Sequence, residues 1–188
     1  MEPKFAEVAQ RIIDLREIME LSVEEMAQAT DTTVEEYVEL EKGKTDFSFT
    51  FLYKCAERFG VDMIELLTGE NPRLKSYTIT RNGKGLPIKR RQGFAYYHLA
   101  EALKDKLCEP FLVCAPYLEE QQTQSIHLSQ HDGQEFNYIL SGKLKVQIGD
   151  NIEILNPGDS VMYDSSQPHG MIATDGEECR FLAIILKD

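Results

Sequence analysis

Residues His131 to Gly142 read His-Asp-Gly-Gln-Glu-Phe-Asn-Tyr-Ile-Leu-Ser-Gly, and this stretch decides the fold that the sequence predicts. Glu135 follows His131 by four positions, and a second histidine, His169, lies beyond an intervening hairpin. These side chains converge only where the strands that carry them curl into a barrel with the side chains inward. Two imidazoles and one carboxylate, with the other positions open, form the facial triad of non-haem iron sites. The stretch therefore predicts a β-barrel with a site for a divalent transition metal.

This pattern resembles the two motifs of the cupin superfamily. The motif positions are occupied by His131, Glu135, Gly142, Pro157, Asp159 and His169. Ser129 stands where the family has the first of its motif histidines, so three of its four ligand positions keep a ligand type. The resemblance implies an all-β cupin barrel, a double-stranded β-helix or jelly roll, over residues 111–188. It also implies that His131, Glu135 and His169 hold the metal.

The metal and pocket predictions have plainer alternatives. Ligand softness and an open three-ligand geometry favour Fe, Ni or Zn over Mg. The same three side chains also suit a hydrogen-bonded polar cluster around water or an organic acid. We place Ser129, Tyr138 and Arg91 in the pocket of a small-molecule effector, where Arg91 would contact an anion. Alternatively, Tyr138 packs in the core and Arg91 belongs to a solvated face.

The charge of the chain is unevenly distributed. The 188 residues carry a formal net charge of −12, and residues 1–70 hold 17 acidic against seven basic side chains. Residues 71–100 hold seven basic side chains and no acidic one. We expect the acidic N-terminal part to lie against the basic segment Arg73–Arg91, within or between the subunits of a homodimer, with an attraction that fades as salt rises.

Composition argues against membrane and secreted proteins. No apolar run approaches the ~18 residues of a membrane span, and the N-terminus lacks the charged-then-apolar pattern of a signal peptide. The four cysteines form no Cys-x-x-Cys pair and are expected to be reduced, mostly buried thiols. The sequence therefore predicts a cytoplasmic protein with no membrane partner.

Residues 1–70 have the pattern of five short helices. An apolar stripe from Phe5 to Met19 recurs at gaps of three and four residues, which is typical of an amphipathic helix. Ser22 with Glu25, and Thr33 with Glu36, have the spacing of capping boxes and open the second and third helices. Two further helices are predicted before residue 70.

Two helices joined by a short turn inside a five-helix domain follow the helix-turn-helix plan. The stretch resembles the phage-repressor, or xenobiotic-response-element, class of DNA-binding domains. The matching segments are Leu15–Glu17, Leu21–Ala27, Leu40–Lys44 and Phe59–Asp62. The resemblance implies a DNA-binding domain over residues 1–70, with operator DNA as its partner.

The positions that this resemblance places at DNA are unusual for a DNA reader. Valine and glutamate occupy the exposed face of the recognition helix, in place of the Arg, Lys, Asn or Gln that contact guanine and adenine. Carboxylates there would face phosphates, whose binding normally depends on Lys and Arg. The helix is therefore either a weak DNA reader or a solvated or docking face that has lost DNA binding. The candidate DNA-binding residues are Ser22, Thr33, Glu35, Glu36, Lys42 and Lys44.

Residues 71–110 connect the two predicted domains. Ser76–Thr80 and Leu86–Lys89 flank a Gly-rich turn and predict a hairpin. We expect a short helix from Ala95 to Leu103. The domain order resembles bacterial regulators in which the cupin binds a small effector and the N-terminal domain binds an operator as a dimer. The predicted fold class is α+β, with a five-helix domain followed by an all-β barrel.

Three functions fit these observations, and we favour the first. It is a transcriptional regulator whose cupin domain senses a small molecule or a metal. The second is a mononuclear metal enzyme whose helix-turn-helix domain no longer binds DNA, because the two-domain plan also resembles iron epoxidases that act on hydroxyalkylphosphonates. Glu20 stands where such an enzyme uses a lysine, which reverses the charge at a position that contacts substrate. The third is a cupin that binds neither metal nor DNA and acts through protein contacts.

Overall fold

The computed structural model describes residues 5–70, 76–89 and 93–187, and the chain divides into two compact units. The first unit is formed mainly by the chain up to Thr78. The second is formed mainly by the chain from Lys106 onward, together with shorter segments that precede it.

Helices make up the first unit, and several begin at a Ser, Thr or Asp side chain that caps the backbone. They are α1 (Phe5–Ile18), α2 (Val23–Ala29), α3 (Val34–Glu41), α4 (Phe49–Phe59) and α5 (Met63–Thr68). Ser22 accepts from the amide of Glu25, Thr33 accepts from the amide of Glu36, and each glutamate accepts the amide of its capping residue in return. These are the two capping boxes that the sequence predicts.

An aromatic cluster fills the core of the helical unit. Phe47 and Phe51 stack with ring centroids 5.6 Å apart, and the Tyr37 ring lies 5.8 Å from that of Phe51. Arg16 Nε donates to Glu41 Oε1 at 2.7 Å and so joins α1 to the end of α3. Since helices this short are marginal alone, this packing is what stabilises them.

Strands make up most of the described chain from Leu86 onward. They are β1 (Leu86–Lys89), β2 (Ala95–His98), β3 (Cys108–Ala115), β4 (Gln134–Ser141), β5 (Lys143–Ile148), β6 (Asn151–Leu155), β7 (Ser160–Asp164), β8 (His169–Thr174) and β9 (Cys179–Leu186). The larger sheet has the order β1-β2-β3-β9-β4-β7, and the smaller has the order β6-β5-β8. The chain passes repeatedly from one sheet to the other, so both sheets contribute to one core.

Alternation with a period of two sets the inner face of the larger sheet. Along β3 and β9 every second residue is buried, and β4 follows the same pattern from Glu135 to Ile139. Gly142 links β4 to β5 with φ of +71°, and a Cβ there would lie 2.2 Å from the carbonyl oxygen of Glu178. Only glycine fits both conditions, which explains the glycine of the motif.

Two expectations for the connecting segment are wrong. Ala95–His98 is a strand rather than the start of a helix, because its backbone pairs with β3. Ser76–Thr80 is not a strand, and the larger sheet instead places β1 beside β2. Pairing between distant segments overrides local propensity here, as it commonly does for strands.

The outward face of the larger sheet carries exposed apolar side chains. Tyr138 is 40% exposed, Leu140 is 50% exposed and Met162 is 55% exposed. The strand register sets Tyr138 beside Leu182 and Phe136 beside Met162, so the apolar side chains are neighbours. A sheet face open to water is usually polar, and an apolar one indicates a contact surface.

None of the described helices combines the length and the apolar character needed to cross a membrane. The four cysteines carry free thiols, two of them buried. Burial raises the pKa of the Cys179 thiol to about 12, which keeps that thiol protonated and unreactive.

Candidate metal centre

Pairing between backbone segments brings His131 and His169 close to Glu135. His131 precedes β4, Glu135 is the second residue of β4, and His169 opens β8. Two backbone hydrogen bonds of 2.8 and 2.9 Å join Ser129 to His169, and they hold the segment before β4 against β8. Gly170 permits this approach, since a Cβ there would lie 2.2 Å from the carbonyl oxygen of the neighbouring segment.

The three side chains meet in a buried cluster. His131 is 3% exposed, Glu135 is 7% exposed and His169 is 4% exposed. Glu135 Oε2 lies 3.5 Å from His131 Nε2 and 3.9 Å from His169 Nε2. One ligand atom from each residue lies within 4.8 Å of the others. Three donor atoms that converge at this spacing fit one transition-metal ion, with positions left open on the other side.

Backbone carbonyl groups fix the tautomer of both imidazoles. Nδ1 of His131 lies 2.9 Å from the carbonyl oxygen of Asp132, and Nδ1 of His169 lies 2.9 Å from that of Gln167. A carbonyl only accepts, so each Nδ1 carries the proton, and in the neutral ring each Nε2 presents a lone pair. Both lone pairs point toward a carboxylate, which is repulsive unless a cation lies among them. Second-shell contacts of this kind orient histidines at metal sites.

Electrostatics agree with a site that receives a cation. Among the described residues, no lysine or arginine contacts Glu135. Burial would raise the pKa of Glu135, but in the metal-free protein a His131 that carries a second proton on Nε2, together with the Asn137 amide, outweighs burial and lowers the pKa. Burial lowers the pKa of His169, which favours its neutral, metal-binding form. Without a metal, a second proton on an imidazole is the only positive charge that the described residues place beside Glu135, and a metal ion competes with that proton.

A second layer holds the carboxylate. Asn137 Nδ2 donates to Glu135 Oε1 at 2.9 Å and reaches the Tyr163 hydroxyl at 3.5 Å. Burial, together with the charge of Glu135, raises the pKa of Tyr163 far above its ordinary value, so the phenol stays protonated. The Tyr163 ring packs 5.0 Å from the ring of His169. Oε1 of the acid is therefore occupied, and Oε2 is left for a metal.

Comparison with known families agrees with this geometry. Residues 118–185 match the family model described as a cupin domain, and residues 9–72 match the model described as a helix-turn-helix domain. The chain combines a helix-turn-helix domain with a cupin domain. No curated protein sequence matches it.

Solved structures share the whole two-domain fold. An HTH_3 family transcriptional regulator from Vibrio cholerae superposes with a TM-score of 0.70 at 20% identity, covering 98% of this chain and 97% of that one. Hydroxypropylphosphonic acid epoxidase from S. wedmorenis superposes with a TM-score of 0.51 at 19% identity, covering 99% and 100%. The iron(II) form of HppE gives a TM-score of 0.51 at 19% identity, covering 97% and 100%. At this identity the likeness concerns the fold alone.

The pocket residues predicted from sequence fall in different places. Ser129 lies beside His169, in the backbone pairing described above. Tyr138 is on the outward face of β4, since its neighbours Asn137 and Ile139 are the buried ones, so it does not line the cupin interior. Successive side chains of a strand point to alternate faces, so Tyr138 points to the other face of β4 from Glu135. Our assignment of Tyr138 to the pocket overlooked this alternation. Arg91 lies outside the described residues.

Sequence reasoning missed two residues of the site. Asn137 follows Glu135 by two positions, so the alternation of β4 was a signal that could have found it. Tyr163 gave no signal, because its place depends on the register that pairs it with Glu135 across β4 and β7.

A second buried acid lies in the cupin domain. Glu109 is fully buried on β3, and its Oε2 lies 2.6 Å from His98 Nε2. Lys187 Nζ lies 2.9 Å from Oε1, and the buried Lys106 Nζ lies 3.8 Å from Oε2. The amide of Ala100 donates to His98 Nδ1 at 3.0 Å, so the proton of this ring is on Nε2 and points at the acid. This cluster contains its own cations.

The six candidate DNA-binding residues are all exposed; Glu35 and Glu36 lie on α3, and the other four flank the ends of α2 and α3. Two of them, Thr33 and Glu36, are joined by the capping box of α3. Lys42 forms an ion pair with Glu39. Val34 and Val38, on the same helix, are 37% and 38% exposed. The described face of α3 is thus apolar and acidic, and one of its two nearby lysines is already paired.

Proposed function

We propose that this protein is a transcriptional regulator whose cupin domain binds a divalent transition metal and, beside it, a small-molecule effector. The observation that carries the proposal is the cluster of His131, Glu135 and His169. Its two Nε2 lone pairs and its carboxylate converge with no cation from the described residues among them. Such a cluster is stable only with a positive ion or extra protons.

The chemistry of the cluster selects the kind of ion. Two imidazoles and one carboxylate suit Fe, Ni or Zn better than Mg. Bound there, the ion supplies a Lewis-acidic centre with open positions. With two neutral rings and one carboxylate, a divalent ion leaves the site with one positive charge, which favours an anionic effector.

The helix-turn-helix domain supports the regulator, with an unusual demand on DNA binding. Glu35 and Glu39 face solvent on α3, and Glu39 neutralises Lys42. Base reading is left to Thr33 and to carboxylates that accept from cytosine amino groups, together with indirect readout. Binding is therefore weak at physiological salt, with a slope of about −3 to −4 in log affinity against log salt for roughly four phosphate contacts.

A mononuclear metal enzyme is the second candidate function, and the open three-ligand geometry of the cluster favours it. The fold it shares with hydroxypropylphosphonic acid epoxidase agrees with such a role. Glu20 is exposed and acidic where that class has a lysine, which weighs against the same phosphonate substrate. Oxygen consumption by the iron-loaded protein with candidate small organic acids would favour the enzyme over the regulator.

Metal analysis tests the cluster. Purified protein reconstituted with Fe(II), Ni(II) or Zn(II) under anaerobic conditions should hold about one equivalent after dialysis, and His169→Ala should lose it. His127→Ala is the matched control, since that histidine is exposed. Equal metal content in wild type and His169→Ala would show that these residues are not the ligands.

A gel shift on the upstream DNA of the gene tests the regulator. The triple variant Glu35→Gln, Glu36→Gln and Glu39→Gln should bind DNA more tightly, because it removes repulsion at phosphates and frees Lys42. Glutamine keeps the capping box at position 36. The matched control is the triple variant Glu119→Gln, Glu120→Gln and Glu177→Gln, which makes the same charge change on exposed residues of the cupin domain. Nanomolar operator binding by the wild type with a steep salt slope would contradict our assignment of the recognition helix.

Homodimerisation is part of the same proposal. Two features support it: the exposed apolar face around Tyr138 and Met162, and the charge difference between the N-terminal residues and residues 71–100. Light scattering at low and high salt distinguishes a dimer held by the apolar face from one held by charge. The apolar contact persists at high salt, whereas the charged contact weakens. Met162→Glu should dissociate an apolar dimer. A monomer at every salt concentration would contradict dimerisation altogether.

A further inference from the structure

Asn137 has one polar atom that the fold leaves unsatisfied. The residue is completely buried, and its Oδ1 has no hydrogen-bond partner among the described residues. Unpaired buried acceptors are rare in folded proteins, and each one needs an explanation such as a bound water, ion or ligand. The Ser165 hydroxyl, also completely buried, is likewise without a partner in the described part of the chain.

The orientation of this amide is fixed by its neighbours. Nδ2 donates to Glu135 Oε1 at 2.9 Å and lies 3.5 Å from the Tyr163 hydroxyl. In the flipped amide, Oδ1 would face the carboxylate, and two acceptors would meet without a proton between them. The NH2 group of Asn137 therefore stays hydrogen-bonded to the Glu135 carboxylate. Its Oδ1 does not face that carboxylate and remains an acceptor without a donor among the described residues.

The free acceptor belongs to the metal site. Asn137 and Glu135 share the inner face of β4, and the amide is hydrogen-bonded to the acid. Across β7 the register places Val161, an apolar residue with no donor, opposite Asn137. Across β9 the register places Ala183 opposite Asn137, so neither neighbouring strand offers Oδ1 a side-chain donor at this position.

We infer that Asn137 determines which ligand binds beside the metal, because its Oδ1 accepts a hydrogen bond from a hydroxyl or amino group on that ligand. The inference rests on the proposed metal site. The ligand class it names is a small carboxylate with an O–H or N–H donor next to the metal-binding atom, such as a 2-hydroxy or 2-amino acid. Its carboxylate offsets the remaining positive charge of the site, and its donor satisfies Asn137.

Two small carboxylates that differ in one O–H group test whether Asn137 recognises a hydrogen-bond donor on the ligand. Glycolate and methoxyacetate both offer a carboxylate and a neighbouring oxygen to a metal, but only glycolate carries an O–H. With the Co(II)-loaded protein, titration followed by the visible absorption of cobalt gives the affinity for each probe. The wild type should bind glycolate about tenfold more tightly than methoxyacetate, a ratio that corresponds to about 1.4 kcal/mol.

Two variants separate this effect from size and from folding. Asn137→Leu keeps the volume and removes the acceptor, and Asn137→Ser keeps a small polar group that does not reach as far. In whichever variant gives the circular dichroism spectrum of the wild type, the glycolate preference should shrink at least fivefold relative to wild type. Gln134→Leu is the control, since Gln134 is an exposed neighbour on the same strand, and it should keep the full preference.

The possible results point to different failures. If the wild type takes up no Co(II), the proposed metal site itself is wrong. If Co(II) binds but the folded Asn137 variants keep the glycolate preference, or the wild type has none, the metal site stands and the role of Asn137 is wrong.

Discussion

Two buried carboxylates of the cupin domain lie in one row of the sheet but have opposite surroundings. Glu109 on β3 and Glu135 on β4 both pair with Ile185 of the strand between them. Glu109 has two lysines within 3.8 Å, whereas no lysine or arginine among the described residues contacts Glu135. Burying a charge is costly unless a partner compensates it. The chain compensates Glu109 with its own lysines, whereas for Glu135 we propose that a metal ion supplies the positive charge.

The tautomers of the histidines show the same difference. His98 takes its backbone hydrogen bond on Nδ1 and directs a proton at Glu109. His131 and His169 donate from Nδ1 to carbonyl groups and direct lone pairs at Glu135. A histidine that donates to a carboxylate completes a structural cluster. A histidine that presents a lone pair to a carboxylate leaves a place for a cation between the two groups, which is the arrangement that the proposed metal site needs.

The largest expected effect concerns stability. Glu109→Gln removes the buried carboxylate that Lys106 and Lys187 contact, and it should lower the free energy of unfolding by about 3–5 kcal/mol. Urea unfolding in the presence of a chelator measures this. Glu135→Gln, under the same conditions, should leave stability unchanged or raise it slightly, because it removes a charge that no lysine compensates. Equal destabilisation by both variants would remove the contrast between the two acids.

The next effect concerns metal affinity. Glu135→Gln removes one of three ligands and should weaken metal binding by more than the roughly 100-fold that loss of a second-shell partner costs at most. Competition with a chelator of known affinity measures the change. Glu153→Gln, an exposed glutamate on β6, is the control for the charge and should bind metal like the wild type. An affinity that Glu135→Gln leaves unaltered would show that the acid is not a ligand.

The convergence of His131, Glu135 and His169 and the order of the two domains were accessible from sequence because they depend on recognisable motifs. A histidine, an acid four residues later and a motif glycine identify the cupin strands, and capping boxes at Ser22 and Thr33 locate two helices. Such patterns depend on neighbours within a few residues, where backbone geometry is nearly fixed.

The cluster around Glu109 was not accessible, because two of its members, His98 and Lys187, are distant from Glu109 in the chain. No motif in the sequence marks His98, yet this histidine is fully buried and joined to Glu109, 11 residues away. Lys187 reaches the same acid from beyond β9, where only the register of three strands brings it close. No spacing rule carries that information. The same holds for Tyr163 at the metal site, which sits opposite Glu135 only through strand pairing.

The smallest effect tests how far Glu109 depends on its partners. Lys187→Met removes the more exposed of its two lysines, whose side chain is 34% exposed, so solvent limits the loss to about 1 kcal/mol at pH 7. Lys145→Met is the control, since Lys145 makes no ion pair in the described part of the chain. Urea unfolding of both variants from pH 7 to pH 3 measures the difference.

The pH dependence of that difference links it to the acid. Burial would raise the pKa of Glu109, but His98, Lys106 and Lys187 outweigh it and hold the pKa below the ordinary 4.5. A carboxylate with a lowered folded-state pKa contributes stability that is fully present above the unfolded value and is lost as pH falls through the folded value. The gap between wild type and Lys187→Met should therefore be constant above about pH 5 and close below pH 4.5 as Glu109 takes up its proton. A gap that persists in acid would mean that Lys187 stabilises the fold by packing rather than through the charge of Glu109.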